Sequence, residues 1–181
     1  MDKKYKLTNQ TRIVNGHTLH RIQALKDFEN VKRGDLGGWI EREDNLSQKG
    51  NCWVYDNAIV YGNAQIDDNA WVSGSARVYG DARVYGDAWV YHYAQIFDNA
   101  NIGGNAWVYG DAWIGGDLKL IGGRFYHTHL KLEPIEKIKN DQIYETLCSD
   151  PQLGEEEKPK GKKVKIKLPE GTIIEGELIE D

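Results

Sequence analysis

The chain has 181 residues, a formal net charge of -5 and a mean hydropathy of -0.64. That length holds one domain with appendages, and the balance is mildly acidic, which argues against a basic nucleic-acid surface. No apolar run approaches the roughly 18 residues of a membrane-spanning helix, and the start MDKKYKLTNQ lacks the apolar core of a secretion signal. Cys52 and Cys148 form no metal or redox motif, so a reducing, cytoplasmic setting is expected.

In chain order, residues 1–46 read as a β cap and leader. The stretches YKLT (5–8), TRIV (11–14) and TLHRIQAL (18–25) have strand character, and Asn15-Gly16 is a two-residue hairpin signal. The open end of a stacked β structure exposes unpaired backbone, which gives a cap its purpose. KRGDLGGW (32–39) is glycine-rich but lacks the strand-to-helix spacing of a phosphate loop.

From Trp53 the sequence divides into twelve hexads without an insertion, from WVYDNA (53–58) to KLIGGR (119–124). The second position is always Val, Ile or Leu, and the sixth is Ala in the first ten. On a strand, residues two apart share a face, so Ala58 and Val60 point inward while Ile59 and Tyr61 point outward. Positions four and five, mostly Gly or Asp then Asn or Asp, tolerate positive φ and turn the chain. Three hexads make a triangular coil, and four coils stack to about 19 Å at the strand spacing. Upstream, Ile40, Leu46 and Cys52 extend the sixth-position column, but Arg42 and Gln48 fall where an aliphatic belongs, so a further coil there would be irregular. The regular solenoid is placed at 47–124.

The [VI]-x-G-[ND]-A-x pattern resembles the hexapeptide repeat of left-handed parallel β-helix proteins. The Tyr-Gly-Asp-Ala copies, preceded by DLGGWIEREDNLSQKGNCWVYDNA, resemble the phage and bacterial YdcK-like group often labelled polymer-forming. The resemblance covers roughly residues 1–124 and implies an all-β, left-handed parallel β-helix, a triangular prism of 18 residues per coil with an N-terminal β cap and a C-terminal α/β appendage. A right-handed triangular β-helix is the rival.

Beyond the repeats, RFYHTHLKLEPI reads as a strand leaving the prism, and 135–147 as a short helix, the two filling 125–148. A charged linker is expected at 149–163. Residues 164–181 alternate Val164, Ile166 and Leu168, turn at Pro169-Glu170-Gly171 and resume at Ile173 or Ile174, as in a β-hairpin. Its pattern resembles the first two strands of Sm-like barrels, although the chain ends too soon to close one.

Stacking the outward residues at 18-residue intervals separates three faces. The first carries Trp53, Trp71, Trp89 and Trp107 beside Tyr55, Ser73, Tyr91 and Tyr109. Seven aromatics in one strip either stiffen the helix as a ladder, form a subunit or partner interface, or offer a stacking platform for a base or sugar. The interface candidates are Trp53, Tyr55, Trp71, Trp89, Tyr91, His92, Tyr93, Trp107 and Tyr109.

Enzymes with this repeat are acyltransferases that use an acyl-CoA donor and a histidine general base, so the resemblance admits a CoA-dependent acyltransferase. Of five histidines, His17 and His20 lie in the cap hairpin. His92 replaces a corner Gly, where Asp56 or a neighbouring subunit could orient it, and is the minority catalytic candidate. No long loop interrupts 53–124 to cover an active site. His127 and His129 could pair on a metal, but a third ligand is not evident. Asp81 and Asp87 read as turn formers before calcium ligands. No metal or cofactor is expected. The favoured reading is a non-enzymatic β-helix binding protein of phage or mobile-element type. It would form a homo-oligomer, with a trimer favoured, and contact a bacterial protein partner in the host cytoplasm, such as a defence enzyme it inhibits. Membrane and nucleic acid are not expected partners. A self-assembling structural protein is the remaining alternative.

Overall fold

The computed structural model describes residues 3–126, 129–132, 162–167 and 173–178. They divide into two units, Met1–Thr146 and Leu147–Asp181.

In the first unit the hexads become short parallel strands stacked on three faces. The first face stacks five: Trp53–Val54, Trp71–Val72, Trp89–Val90, Trp107–Tyr109 and Arg124–Tyr126. The second runs through Ile59–Val60, Arg77–Val78, Gln95–Ile96, Trp113–Gly116 and His129–Leu132. The third runs through Gln65–Ile66, Arg83–Val84, Asn101–Ile102 and Lys119–Leu120. The chain is an all-β parallel solenoid of about five turns. Within the regular coils each residue pairs with the one 18 later, as Trp53 does with Trp71 and Asn101 with Lys119. The inward column from Val54 through Val60, Ile66 and Val72 to Ile114 is 0% exposed, and so are the alanines from Ala58 to Ala112. Alanine alternating with a branched aliphatic keeps the prism narrow and dry.

The corners reveal what the Gly/Asp and Asn/Asp alternation encodes. Position four is left-handed in the first eleven hexads, with φ 52° at Asp56, 66° at Gly74 and 60° at His92; in the twelfth the left-handed residue is Gly123. Where that residue is Asp, its carboxylate accepts the N–H of the glycine one coil later: Asp56 from Gly74 (3.1 Å) and Asp68 from Gly86 (3.0 Å). At position five, Asn amides donate to the Asp one coil later, at Asn63–Asp81 (2.8 Å), Asn69–Asp87 (3.0 Å) and Asn99–Asp117 (2.7 Å). The corner carboxylates therefore stitch coil to coil, and αL tolerance of Asn, Asp and Gly makes the turn possible.

The N-terminal strands join the second face. β1 (Tyr5–Val14) and β2 (His17–Ala24) form an antiparallel hairpin around Asn15 and Gly16, both at positive φ. β2 pairs antiparallel with β3 (Leu36–Ile40), and β3 runs parallel to Ile59–Val60. The hairpin side chains fold over the outside of the first coil. Ile59 and Tyr61, expected to be outward and open, are 4% and 5% exposed because Leu19 packs on them.

Two registers differ from the sequence reading. Ile40 pairs with Val60 and Leu46 with Ile66, so both occupy the aliphatic column and not the alanine column. The first coil is thus two residues longer than the regular 18-residue coils, and the excess lies between Ser47 and Cys52. That shift explains the polar Arg42 and Gln48. Both lie outside the core, where Arg42 donates to Asn63 Oδ1 (2.6 Å) and Gln48 Oε1 accepts the N–H of Lys4 (2.8 Å). The enlarged corner is filled by Lys4, 1% exposed, whose Nζ donates to the carbonyls of Cys52 (2.9 Å), Lys49 (3.2 Å) and Gly50 (3.3 Å). At the other end, residues 124–126 and 129–132 of the segment expected to leave the prism stay in it. Arg124 pairs with Trp107 and Tyr126 with Tyr109, one residue short of the regular spacing, and His129 pairs with Trp113. The expected helix at 135–147 lies outside the described residues.

In the second unit, Lys162–Lys167 pairs antiparallel with Ile173–Leu178, with Ile166 opposite Ile174. The hairpin starts at Lys162, two residues inside the stretch read as linker, and the expected turn at 169–171 lies outside the described residues. The described residues contain no α-helix and no helix long and apolar enough to cross a membrane.

Candidate aromatic contact surface

The 18-residue law places like residues above one another, and on the first face these are aromatic rings. Trp71 stacks on Trp89 (centroids 5.0 Å, planes 11° apart) and Trp89 on Trp107 (5.2 Å, 7°). The Arg124 guanidinium closes the column, 4.8 Å over the Trp107 ring. Beside it, Tyr91 stacks on Tyr109 (5.0 Å, 2°) and Tyr109 on Tyr126 (5.0 Å). Offset stacking of this kind contributes about 0.5–1.5 kcal/mol per pair beyond area burial. It also hides ring faces: Trp89 keeps 38% of its surface exposed, and Trp71 and Trp107 are more fully covered.

One expected member leaves the strip. Trp53 is 1% exposed, because Tyr5 (6.0 Å) and Phe28 (5.4 Å) meet its ring edge-on. The N-terminal segment covers this end of the column, so Trp53 is a core residue and offers no interface. The sequence pattern could not show that a distant segment folds over one rung.

A tyrosine is missing at Ser73. Its absence opens a slot of about 340 Å³ lined by Tyr55, Trp71, Ser73, Trp89, Tyr91, Trp107 and one charged group, Asp56. Tyr55 tips toward Trp71 (5.1 Å, 43°) and does not bridge the gap. Its hydroxyl is buried without a hydrogen-bond partner among the described residues. Burial, then the negative charges of Glu29, Asp35 and Asp56, push the Tyr55 phenol up to about 12. At the other side of the slot, burial and the neighbouring Tyr109 raise the Tyr91 phenol, against the opposing Arg124.

Tyr93 stands out from the corner at 66% exposure, beside exposed His92. The His92 ring meets Tyr91 edge-on (4.8 Å). Asp56, the expected orienting carboxylate, is engaged by the Gly74 N–H. Among the described residues no carboxylate bonds the His92 ring. A histidine–carboxylate pair does occur elsewhere, and sequence spacing gave no sign of it: His17 Nδ1 lies 3.0 Å from Glu41 Oε1. Glu41 Oε2 also accepts the Gly62 N–H (2.8 Å). Burial raises the Glu41 carboxyl, but these two partners outweigh it and hold it below its ordinary range. His129 Nε2 sits 3.2 Å from the Asp111 carbonyl, and its proposed partner His127 lies outside the described residues. No cluster of three metal-ligating side chains occurs among the described residues.

The repeat geometry agrees with a comparison by sequence. Residues 76–92, from the Ser73 coil to His92, match the family model described as the YdcK beta solenoid repeat. Over those residues the chain is similar to that repeat. Over 42 residues it is also 57% identical to a protein of Escherichia coli (strain K12) called uncharacterized acetyltransferase YdcK. That stretch takes in 23% of this chain and 13% of the relative's length. The likeness to YdcK therefore extends over a minor part of both proteins and concerns the repeat.

Proposed function

We propose that this chain is a non-enzymatic β-solenoid binding protein whose first face is its contact surface, joining copies of the chain into a closed homo-oligomer. A trimer is the expected form, and a bacterial protein in the cytoplasm is the expected partner. Inhibition of a host defence enzyme by a phage-encoded protein is the narrowest version of this reading. The observation that carries the reading is the aromatic strip itself. Its rings are partly open, it contains an unfilled slot at Ser73, and it runs along a regular side of the prism with Tyr93 projecting beside it. Trp and Tyr are the usual anchors of such surfaces. Capture of partners from a bacterial lysate tests the reading. Wild type should retain partners that Trp71→Ala/Trp89→Ala loses, and identical capture by both would remove the strip from the binding surface.

A second reading is acetyl transfer, favoured by the name of the Escherichia coli relative. His92 would be its base, acting without an orienting carboxylate from its own described residues. Acetyl-CoA at saturation should then raise Tm by mass action, whereas the binding reading predicts no shift.

A further inference from the structure

The slot has a shape and a charge. Its walls are aromatic, it lies where Ser73 interrupts the tyrosine column, and the charged side chain in its lining is the carboxylate of Asp56. The acids Glu29 and Asp35 add to the negative field at the Tyr55 side. Aromatic faces beside a carboxylate favour a cation, and a planar one fits between stacked rings. The molecule uses this pairing itself. Arg124 lies over Trp107, and Arg12 (4.6 Å) and Arg21 (5.4 Å) lie over Trp39.

An arginine is also available at the same level of the prism. The coil that lacks the tyrosine is WVSGSA-RVYGDA-RVYGDA (71–88), and its other two hexads are the ones that begin with arginine. Arg77 on the second face lies near Arg12, whose guanidinium feels its like charge. Arg83 on the third face is exposed and makes no hydrogen bond or ion pair among the described residues. In a cyclic assembly whose axis runs along the prism, residues of the same coil sit at the same height in every copy. Where the first face of one copy meets the third face of the next, slot and arginine face each other.

We propose that Arg83 of a second copy of this chain occupies the Ser73 slot, its guanidinium lying as the missing rung with Asp56 as counter-charge. This rests on the reading of the first face as an inter-copy surface and assigns that surface its mate, the third face. The contact is heterologous, so each copy gives one arginine and receives one.

Sedimentation mass tests it, with circular dichroism confirming the fold of each variant. Wild type should be oligomeric. Ser73→Tyr, which fills the slot from within, Asp56→Asn, which keeps a turn-tolerant residue but removes the charge, and Arg83→Ala should each lower the mass. Arg77→Ala should keep it. The deciding arm is a mixture. Ser73→Tyr retains the arginine and Arg83→Ala retains the slot, so the two monomers together should give a one-to-one complex that neither forms alone. Wild-type mass in Ser73→Tyr and Arg83→Ala, or no complex on mixing, overturns the pairing. If Trp71→Ala/Trp89→Ala is monomeric while both slot variants stay assembled, the interface reading survives and this inference fails. If all of them assemble, both fail.

Discussion

At the scale of residues, single positions carry the departures from the repeat. His92 holds a left-handed φ of 60° where its column neighbours Gly74 and Gly110 have no Cβ. The left-handed region costs an ordinary residue about 1–2 kcal/mol, partly offset by the chain entropy that glycine loses on folding. His92→Gly should therefore raise the unfolding free energy by about 1 kcal/mol in urea titrations. No change would show that the corner is unstrained. A gain would mean that the residue is kept at a cost to the fold, as a surface role beside Tyr91 and Tyr93 would require. Lys4 is the opposite case. Its ammonium is the partner of three backbone carbonyls in the enlarged first corner. Burial pulls its pKa below the usual lysine range. Lys4→Met fills the volume but strands those carbonyls, and should cost about 1–3 kcal/mol. A neutral result in chemical denaturation would mean that water replaces the ammonium without loss.

At the scale of elements, the coil was legible because its period is short and its inward residues repeat. Val or Ile at position two and Ala at position six both prove fully buried. Alanine is required there by the width of the prism. Ala82→Leu should destabilise by about 1–3 kcal/mol through overpacking, read as a fall in the denaturation midpoint. Unchanged stability would mean the interior has spare room. What the sequence hid were events that break the period. Leu46 sits in phase with the alanine column of the hexads, and only the paired backbone shows it opposite Ile66. Trp53 matches Trp71 in sequence yet is buried, because Tyr5 and Phe28 arrive from a segment about 25–50 residues away in the chain, beyond the reach of a local pattern. The slot was visible as the single serine in a tyrosine column. Its depth and its acidic end depended on the tilt of Tyr55 and on where Asp56 lies. His17 and Glu41 meet only because β2 pairs with β3.

At the scale of the whole molecule, buried phenols set the response to alkali. Tyr55 is raised from 10.0 to about 12, and Tyr5, Tyr91 and the Cys52 thiol are also raised, with burial the leading cause in each. A group raised in the folded state stays protonated there while its unfolded form ionises. Its contribution is intact below the unfolded pKa and is lost as pH climbs through the folded one. Lys4, lowered, works in the reverse direction over the range below 10.5. The four raised acids outnumber it, so stability should fall between about pH 10 and pH 12, and Tyr55→Phe should flatten part of that fall. A pH-independent Tm across that window would contradict the burial of these hydroxyls.

On the proposed reading, the first face joins copies of this chain. Sedimentation velocity on wild type and on Trp71→Ala/Trp89→Ala tests it most directly. The expected result is an oligomer for the wild type and a folded monomer for the double variant. A wild-type monomer, or an unchanged oligomer after both rings are removed, would reduce the strip to a ladder that only stiffens its own solenoid.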